Sequence, residues 1–246
     1  MSNSEMEQGL ESIASGPPAA PEHGDDLTVD AGASPSPGRR YGGVGQAQRE
    51  AARRTALIDA ATEVFGTVGF RRATVRAVCR LAKLNDRYFY AAFESLEHLL
   101  RETYAHHAQT LLGRLHAAIE GSAPNLDARL DAGLHAFFAF LRHTHAARVL
   151  LLEVMGVSPE TDQTYQRYIF QFAALIIGMA DTPLADREGN DDAADASDTQ
   201  ADARIVGLAL VGAMTNAGTA WVLTGYHDSE ARMVASCRRV LRGALI

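Results

Sequence analysis

Basic and aromatic side chains are concentrated in one short stretch of this chain, residues 74–93. The stretch carries three guanidinium groups, Arg76, Arg80 and Arg87, and two phenols, Tyr88 and Tyr90. Guanidinium groups donate paired hydrogen bonds to phosphate and to the edge of guanine, and a tyrosine hydroxyl can donate to phosphate. These groups suit recognition of a nucleic acid, provided that the fold presents them on one surface.

The residues between them predict two short helices joined by a tight turn. Thr74 and Asn85 are of the type that caps a helix N-terminus, and apolar residues follow the first cap at helical spacing. Leu84 and Phe89 have the spacing of a hydrophobic staple, which would set the angle of the turn. This is the layout of a helix-turn-helix, whose second helix enters the major groove of DNA.

A longer helix is expected before this pair, over residues 48–68. Its apolar residues fall on one stripe, Leu57, Ile58, Ala61, Val64 and Phe65. Gly69 is expected to end it, and Phe93 to close a small core against it. Ser95 predicts the cap of a fourth helix that runs to about residue 119.

The motifs from about Arg53 to Leu100 resemble the N-terminal domain of the TetR family of bacterial transcription regulators. The resemblance rests on the run from Arg53 to Phe65, the Gly69–Phe70 turn, and Thr74-Val75-Arg76, Tyr90, Phe93 and Ser95. It implies an all-α fold, with a three-helix helix-turn-helix DNA-binding domain at residues 46–95. A helical bundle at residues 96–246 would then bind an effector and dimerise. The partners implied are a second copy of the chain and a palindromic double-stranded DNA operator.

Six residues are candidates for contact with DNA: Thr74, Arg76, Asn85, Arg87, Tyr88 and Tyr90. Arg87 is the candidate for a guanine contact, and the resemblance implies that Tyr90 contacts backbone phosphate. Thr74 and Asn85 could donate to phosphate at helix N-termini or act only as caps. Arg76 could flank the backbone or be solvated.

Three residues depart from the family pattern. Lys83 replaces a glycine common in the turn, where a left-handed backbone would cost about 1 kcal/mol. Leu96 replaces a lysine common after the serine cap, which removes one expected phosphate contact. Asp86 suits the helix dipole but repels phosphate, although it could accept from cytosine.

The net charge of −7 hides an uneven distribution. Residues 1–38 hold seven acids and no Lys or Arg, and residues 105–246 hold sixteen acids against eleven basic residues. Residues 39–104 hold twelve basic residues against seven acids. The positive charge therefore lies on the segment expected to meet phosphate.

Two acidic segments are expected to be disordered, an arm at residues 1–45 and a loop at residues 181–202. Both are rich in small and acidic residues and poor in large apolar ones. Arg39 and Arg40, near the end of the arm, could reach a minor groove or belong to a solvated linker. Further helices are expected near residues 125–143, 146–156, 159–180, 203–225 and 229–245.

The segment Ile205–Leu223 is uncharged and long enough to cross a membrane. Its internal polar residues, and the lack of a basic cluster beside it, argue against a membrane span. Small residues recur along it at helical spacing, Ala209, Ala213, Ala217 and Ala220. The resemblance implies that this helix packs against a second subunit; a buried core helix of a monomer is the alternative.

Family members usually hold a small ligand inside the C-terminal domain. Candidates here are aromatic and other residues on stretches expected to face inward, each of which could instead belong to the core. The main candidates are Tyr104, Phe137, Met155, Tyr168, Phe172 and Trp221, with Phe138, Phe140 and Asn216 beside them. Because few of them are polar, an apolar or aromatic effector is expected.

The sequence contains no motif typical of catalysis. It has no nucleophile elbow, no strand-flanked phosphate-binding glycine loop and no HExxH. The pairs His106–His107 and His143–His145 lack the further ligands that a zinc site needs. We therefore expect no enzyme activity, cofactor or metal, and the lack of a signal peptide leads us to expect a cytoplasmic protein.

These observations favour a sequence-specific regulator of transcription, most simply a repressor that a small effector releases from its operator. A regulator that activates, or that ignores small molecules, stays open. A helical protein-interaction module with a degenerate helix-turn-helix also stays open, because of Asp86 and Leu96.

Overall fold

The computed structural model describes residues 41–180 and 193–246. Side chains are described for residues 45–180 and 200–246. All regular structure in these residues is helical, which confirms the expected all-α fold. Four helices come first: α1 Tyr41–Val68, α2 Val75–Ala82, α3 Asp86–Ala92 and α4 Leu96–Glu120. Five more follow: α5 Leu126–Leu141, α6 Thr144–Leu152, α7 Pro159–Ile177, α8 Ala193–Leu223 and α9 Glu230–Leu245.

Six helices begin at a polar cap that the sequence signals. In each, the capping side chain accepts a hydrogen bond from the backbone N–H three residues later, which satisfies one of the otherwise unpaired donors of the first turn. The caps are Thr74, Asn85, Ser95, Asn125, Ser158 and Ser229. The starts of α2 to α5, α7 and α9 are thus local properties of the sequence.

Two helices begin earlier than expected. α1 begins at Tyr41, so residues 41–45, assigned above to a disordered arm, are helical. α8 begins at Ala193, so residues 193–202 of the expected acidic loop are helical as well. The alanines among residues 193–202 favour the extension of α8. Residues 41–47 include three glycines, so helix propensity does not explain the extension of α1. The rest of the two acidic segments, residues 1–40 with Arg39 and Arg40 and residues 181–192, lies outside the described residues.

The first three helices enclose a small apolar core. Leu57 and Phe65 on α1, Val78 on α2, and Phe89 and Phe93 at α3 are all buried. Burying each such side chain contributes about 1.5–3 kcal/mol relative to its exposure. This core holds α3 against α1 and so determines which side of α3 faces outward.

The remaining helices form a bundle in which α4 packs against α5 and α7, α7 against α8, and α5 against α9. Two glycines on α8 allow close packing within the chain. A Cβ at Gly218 would lie 2.8 Å from the Leu141 side chain, and one at Gly207 would lie 3.1 Å from the Ala173 carbonyl oxygen. Part of the small-residue pattern on α8 therefore serves contacts inside one subunit.

The segment Gln200–Leu223, within α8, has the length and a mean hydropathy of 1.5 that a membrane span would have. Core helices of soluble proteins have the same properties. Leu210, Met214 and Trp221 of this segment belong to the buried core of the bundle. We therefore assign the segment to the bundle.

Candidate DNA-binding surface and ligand cavity

The turn between α2 and α3 depends on a left-handed residue. Lys83 has φ 55° and donates its backbone N–H to the carbonyls of Arg80 and Cys79. The N–H of Leu84 also donates to the Cys79 carbonyl, at 2.9 Å, and the chain reverses. A non-glycine residue in this conformation destabilises the folded state by about 1 kcal/mol relative to glycine. Lys83 therefore adopts the left-handed conformation that the sequence analysis considered, at this energetic cost.

α3 has one buried and one exposed side. Phe89 is fully buried, whereas Arg87 is exposed and Tyr90 is 62% exposed. The Tyr90 ring stands edge-on to that of Phe89, with ring centroids 5.2 Å apart. Two of the expected DNA contacts are therefore presented to solvent by a helix that is fixed from behind.

Tyr88 is held by α1. The guanidinium of Arg53 lies 4.2 Å from the centre of the Tyr88 ring, which is half-buried. Such a cation–π contact contributes about 0.5–1 kcal/mol at a partly exposed site. The sequence did not point to this role of Arg53, because its partner lies far along the chain.

Thr74 and Asn85 act as caps in this structure. The Thr74 hydroxyl oxygen accepts from Ala77 N at 3.1 Å, and the Asn85 side chain accepts from Tyr88 N at 3.3 Å. Both side chains are exposed and keep their own donors, a hydroxyl hydrogen and an amide NH₂. The cap and a phosphate contact are therefore compatible.

α2 and the start of α3 carry charges of both signs. Arg76 and Arg80 are exposed on α2, and Asp86 is exposed at the start of α3. Burial, together with a hydrogen bond to the Asp86 carboxylate, raises the pKa of the Cys79 thiol to about 11. The Asp86 carboxylate therefore lies near the buried Cys79 thiol.

Arg54 fastens the end of α3 to α4, a role that the sequence did not reveal. It donates to the Ala92 carbonyl at 3.0 Å and forms an ion pair with Glu102. Its guanidinium also lies 4.4 Å from the centre of the Phe93 ring. Because its partners are 38 to 48 residues away, spacing along the chain gives no sign of the cluster.

The end of α1 meets α6 at very short range. A Cβ at Gly66 would lie 2.5 Å from the Cα of His145, so only glycine fits there without a shift. Nearby, Glu153 accepts a hydrogen bond from the backbone N–H of Phe70, at 2.7 Å. These contacts join the helix-turn-helix region to the bundle.

A second connection runs from α1 to α4. The Thr62 hydroxyl lies 2.8 Å from Nε2 of His107. Burial, with smaller contributions from His106 and His143, lowers the pKa of His107 to about 4. No group of three or more metal-ligand side chains converges within the described residues.

The bundle encloses a cavity of about 90 Å³, counted as the volume open to the centre of a water molecule. Its walls come mainly from α4, α5, α7 and α8, and they include Tyr104, Phe137 and Phe172 of the expected pocket residues. The lining residues that carry a hydroxyl group are Tyr104, Tyr165 and Thr215. Burial raises the pKa of Tyr104 and Tyr165, so both stay protonated.

Three main candidates for the pocket lie elsewhere. Met155 is 67% exposed, because α6 ends at Leu152 rather than near residue 156 as expected. Tyr168 packs its ring against that of Tyr104, outside the cavity wall. Trp221 belongs to the core, where its indole N–H donates to the Asp228 carbonyl at 2.8 Å.

The three secondary candidates also lie off the wall. Phe138 and Phe140 are buried in the core, and Asn216 is exposed. Apolar character predicted burial for these aromatic residues but not for Met155, and it could not separate side chains that line a cavity from those packed behind it.

The outer side of α8 carries small and apolar residues, whereas α9 also exposes Arg232, Arg239 and Arg242. Ala209 and Ala220 are exposed on α8, whereas Ala213 and Ala217 are half-buried against the core. Large apolar side chains are exposed on the same two helices: Ile205, Leu223 and Val240 at 56%, 61% and 51%, and Ile246 beyond the end of α9 at 64%. A Cβ at Gly212 or Gly243 would meet nothing within 4 Å.

Comparison with known proteins agrees with this architecture. Residues 57–103 match the family model described as bacterial regulatory proteins, tetR family. Curated protein sequences yield no match.

Solved structures share the fold over most of the chain. The fatty acid degradation regulator FadR from Bacillus halodurans is 18% identical, with TM-score 0.65, over 78% of this chain and 96% of its own. FadR from Bacillus subtilis in complex with stearoyl-CoA is 20% identical, with TM-score 0.63, over 76% and 96% of the two chains. A putative transcriptional regulator from Pseudomonas aeruginosa PAO1 is 20% identical, with TM-score 0.64, over 83% and 94%. Residues 57–103 are therefore similar to bacterial regulatory proteins of the tetR family, and the described helices share the fold of these solved structures.

Proposed function

We propose that the protein is a dimeric, sequence-specific DNA-binding regulator of transcription in the cytoplasm. The observation that carries this proposal is α3, a helix fixed by buried Phe89 that presents Arg87 and Tyr90 to solvent. Arg87 would read guanine in the major groove. Thr74, Arg76, Asn85, Tyr88 and Tyr90 would position the helix through phosphate.

The DNA-binding domain would comprise residues 46–95, and residues 96–246 would bind the effector and dimerise. We assign the dimer contact to the outer sides of α8 and α9, including Ala209 and Ala220. Small and apolar exposed groups there allow two helices of a second subunit to approach closely. Ala213 and Ala217 would lie at the edge of this contact, since each also packs against its own core. A dimer places two recognition helices on half-sites one DNA turn, or a multiple of it, apart.

The cavity would hold a small apolar effector. The FadR structure in complex with stearoyl-CoA shows that a protein of this fold binds an apolar chain. Leu150 and Leu151 on α6 line the cavity, and His145 and Glu153 flank them at the contact with α1 and Phe70. A ligand that displaces α6 would change the spacing of the recognition helices and release the operator, as expected for a repressor that an effector inactivates.

Genomic DNA captured by the purified full-length chain would test this proposal. We expect recovery of one palindromic sequence, with affinity that falls steeply as salt rises because phosphate contacts release counterions. Arg87→Ala should abolish this selective recovery. Glu63→Gln, a substitution on the exposed side of α1, is its control and should leave the recovery unchanged. Binding to no DNA, or binding that ignores salt, would contradict the proposal and favour a protein-interaction module. An effector that tightens operator binding would contradict release.

A further inference from the structure

The cavity is a channel rather than a rounded chamber. Along α4 its wall follows one stripe, Tyr104, Leu111, Leu115 and Ile119. Fifteen residues separate the ends of this stripe, and at 1.5 Å per residue they span about 22 Å. Both ends are fixed by neighbours: the Tyr104 and Tyr165 rings lie 6.0 Å apart at one end. At the other end, a Cβ at Gly133 would contact both Ile119 and Met179.

The width of the channel suits a single hydrocarbon chain. Its volume of about 90 Å³ is the space open to the centre of a water molecule. Spread along about 22 Å, this volume has a mean cross-section of about 4 Å², a radius of about 1.1 Å. Adding the water radius of about 1.4 Å gives a channel roughly 5 Å wide. Carbon atoms in contact are about 4 Å apart, so one polymethylene chain fits and a fused-ring system would displace the walls.

One end of the channel adjoins a groove on the surface. A groove of about 420 Å³ lies between α4 and α7, and Ile119, Leu175 and Met179 line both this groove and the channel. Two exposed polar side chains, His116 and Gln171, lie on the groove. The opposite end, at Tyr104, is buried, so a chain-like ligand would place its polar end at the groove.

The groove suits a small polar group without phosphate. Its described lining contains no Lys or Arg. The guanidinium of Arg129 donates to the Met179 carbonyl at 3.2 Å and is engaged there. Coenzyme A carries several phosphates, which proteins bind with guanidinium or ammonium groups or with the N–H groups of a helix N-terminus. The groove instead lies at the C-terminal ends of α4 and α7.

We propose that the effector is an unbranched single-chain amphiphile with a small uncharged head, such as a long-chain alcohol, that enters between α4 and α7. Its hydrocarbon tail would run along α4 toward Tyr104, and its small head would bond to His116 and Gln171. This inference rests on the proposed function, because it names the ligand of the same cavity. The proposed ligand differs from that of the FadR structure, which holds the coenzyme A ester stearoyl-CoA.

Displacement of cis-parinaric acid, a linear fluorescent fatty acid, from the purified full-length protein tests the inference. Competitors would be octanoic, dodecanoic and hexadecanoic acids, 1-hexadecanol, hexadecanoyl-CoA and the fused-ring deoxycholic acid. We expect Kd to fall by up to about fourfold per added methylene until the channel is full. Hexadecanoyl-CoA and deoxycholic acid should bind at least about tenfold more weakly than 1-hexadecanol. Equal or tighter binding of either would overturn the assignment.

Gly133 provides the matched variants. Gly133→Leu would project into the channel at its outer end and should weaken 1-hexadecanol binding by about tenfold or more. Gly133→Ala should give a smaller loss, and its added methyl group makes only ordinary contacts, at 3.6 Å or longer. Gly113→Leu is the control, because Gly113 is exposed on α4 and has open space around it. Equal losses at Gly133 and Gly113 would overturn the placement of the ligand.

Operator binding, measured on the same samples, separates the two proposals. If operator binding persists while no single-chain compound binds, the ligand assignment is wrong and the regulator stands. If single-chain compounds bind to the protein while DNA does not, the proposed regulatory function is wrong and the ligand assignment stands.

Discussion

The carboxylate of Glu153 accepts a hydrogen bond from the backbone N–H of Phe70, at 2.7 Å. Phe70 opens the short 3₁₀ turn between α1 and α2, and Gly69 before it has φ 82°. A Cβ at Gly69 would lie 3.3 Å from the same carboxylate. Leu150 and Leu151, just before Glu153, line the cavity. The turn that leads into the helix-turn-helix is therefore bonded to the end of a helix that forms the cavity wall.

Glu153→Ala is expected to destabilise the protein by about 1–3 kcal/mol, because it leaves the part-buried Phe70 N–H without its acceptor. Urea denaturation would measure the loss. Glu153→Gln keeps an acceptor oxygen and should lose less. An equal loss in the two variants would show that the charge of Glu153, rather than this hydrogen bond, carries the effect.

Arg87→Ala is expected to weaken operator binding by about 1–3 kcal/mol, with the loss confined to one base pair in each half-site. Affinities for operators substituted at single positions would measure it. Arg76→Ala should instead weaken binding to every sequence by a similar factor, because a phosphate contact carries no base information. A uniform loss for Arg87→Ala would assign Arg87 to phosphate.

Ala209→Glu combined with Ala220→Glu is expected to convert the dimer to a monomer, since both substitutions place unpaired charges in the proposed contact of α8 and α9. Sedimentation equilibrium would measure the mass. Ala117→Glu, on an exposed site of α4, is the control with the same chemical change. A dimer that survives the double substitution would place the contact elsewhere on the chain.

His107 is expected to make the protein less stable as pH falls from about 6.5 to about 4. Its pKa is lowered to about 4 in the folded chain, mainly by burial. In this window the unfolded chain therefore binds a proton that the folded chain does not, and stability falls with pH by up to about 3 kcal/mol. The stability is fully present above about pH 6.5. Thermal unfolding from pH 7 to pH 4 should show a shallower loss for His107→Gln than for wild type, with His227→Gln, at an exposed site between α8 and α9, as control.

Asp86→Asn is expected to tighten binding to DNA of any sequence by about two- to fivefold at low salt, because it removes a negative charge beside phosphate. The gain should fade as salt rises. Asp59→Asn, on an exposed site of α1, makes the same charge change outside the recognition helix and should have a smaller effect. A loss of affinity confined to one base pair would instead show that Asp86 reads cytosine.

The sequence by itself determined the starts of most helices, although α1 and α8 begin earlier than it predicted. Thr74, Asn85 and Ser95 start helices through hydrogen bonds that span three residues, and the apolar stripe of α1 follows from helical periodicity. The concentration of positive charge on residues 39–104 is likewise a property of the sequence. Such features need only neighbours along the chain, so short-range patterns predict them.

The tertiary structure decided which residues meet across long separations. Arg54 with Glu102, Gly66 with His145, and Phe70 with Glu153 lie 48 to 83 residues apart, and no spacing rule links them. The cavity wall shows the same limit: Tyr104 lines the channel while Tyr168, equally apolar in pattern, packs behind it. Periodicity along the sequence predicts which side of a helix is buried. The position of a cavity depends on how neighbouring helices pack together, which periodicity does not contain.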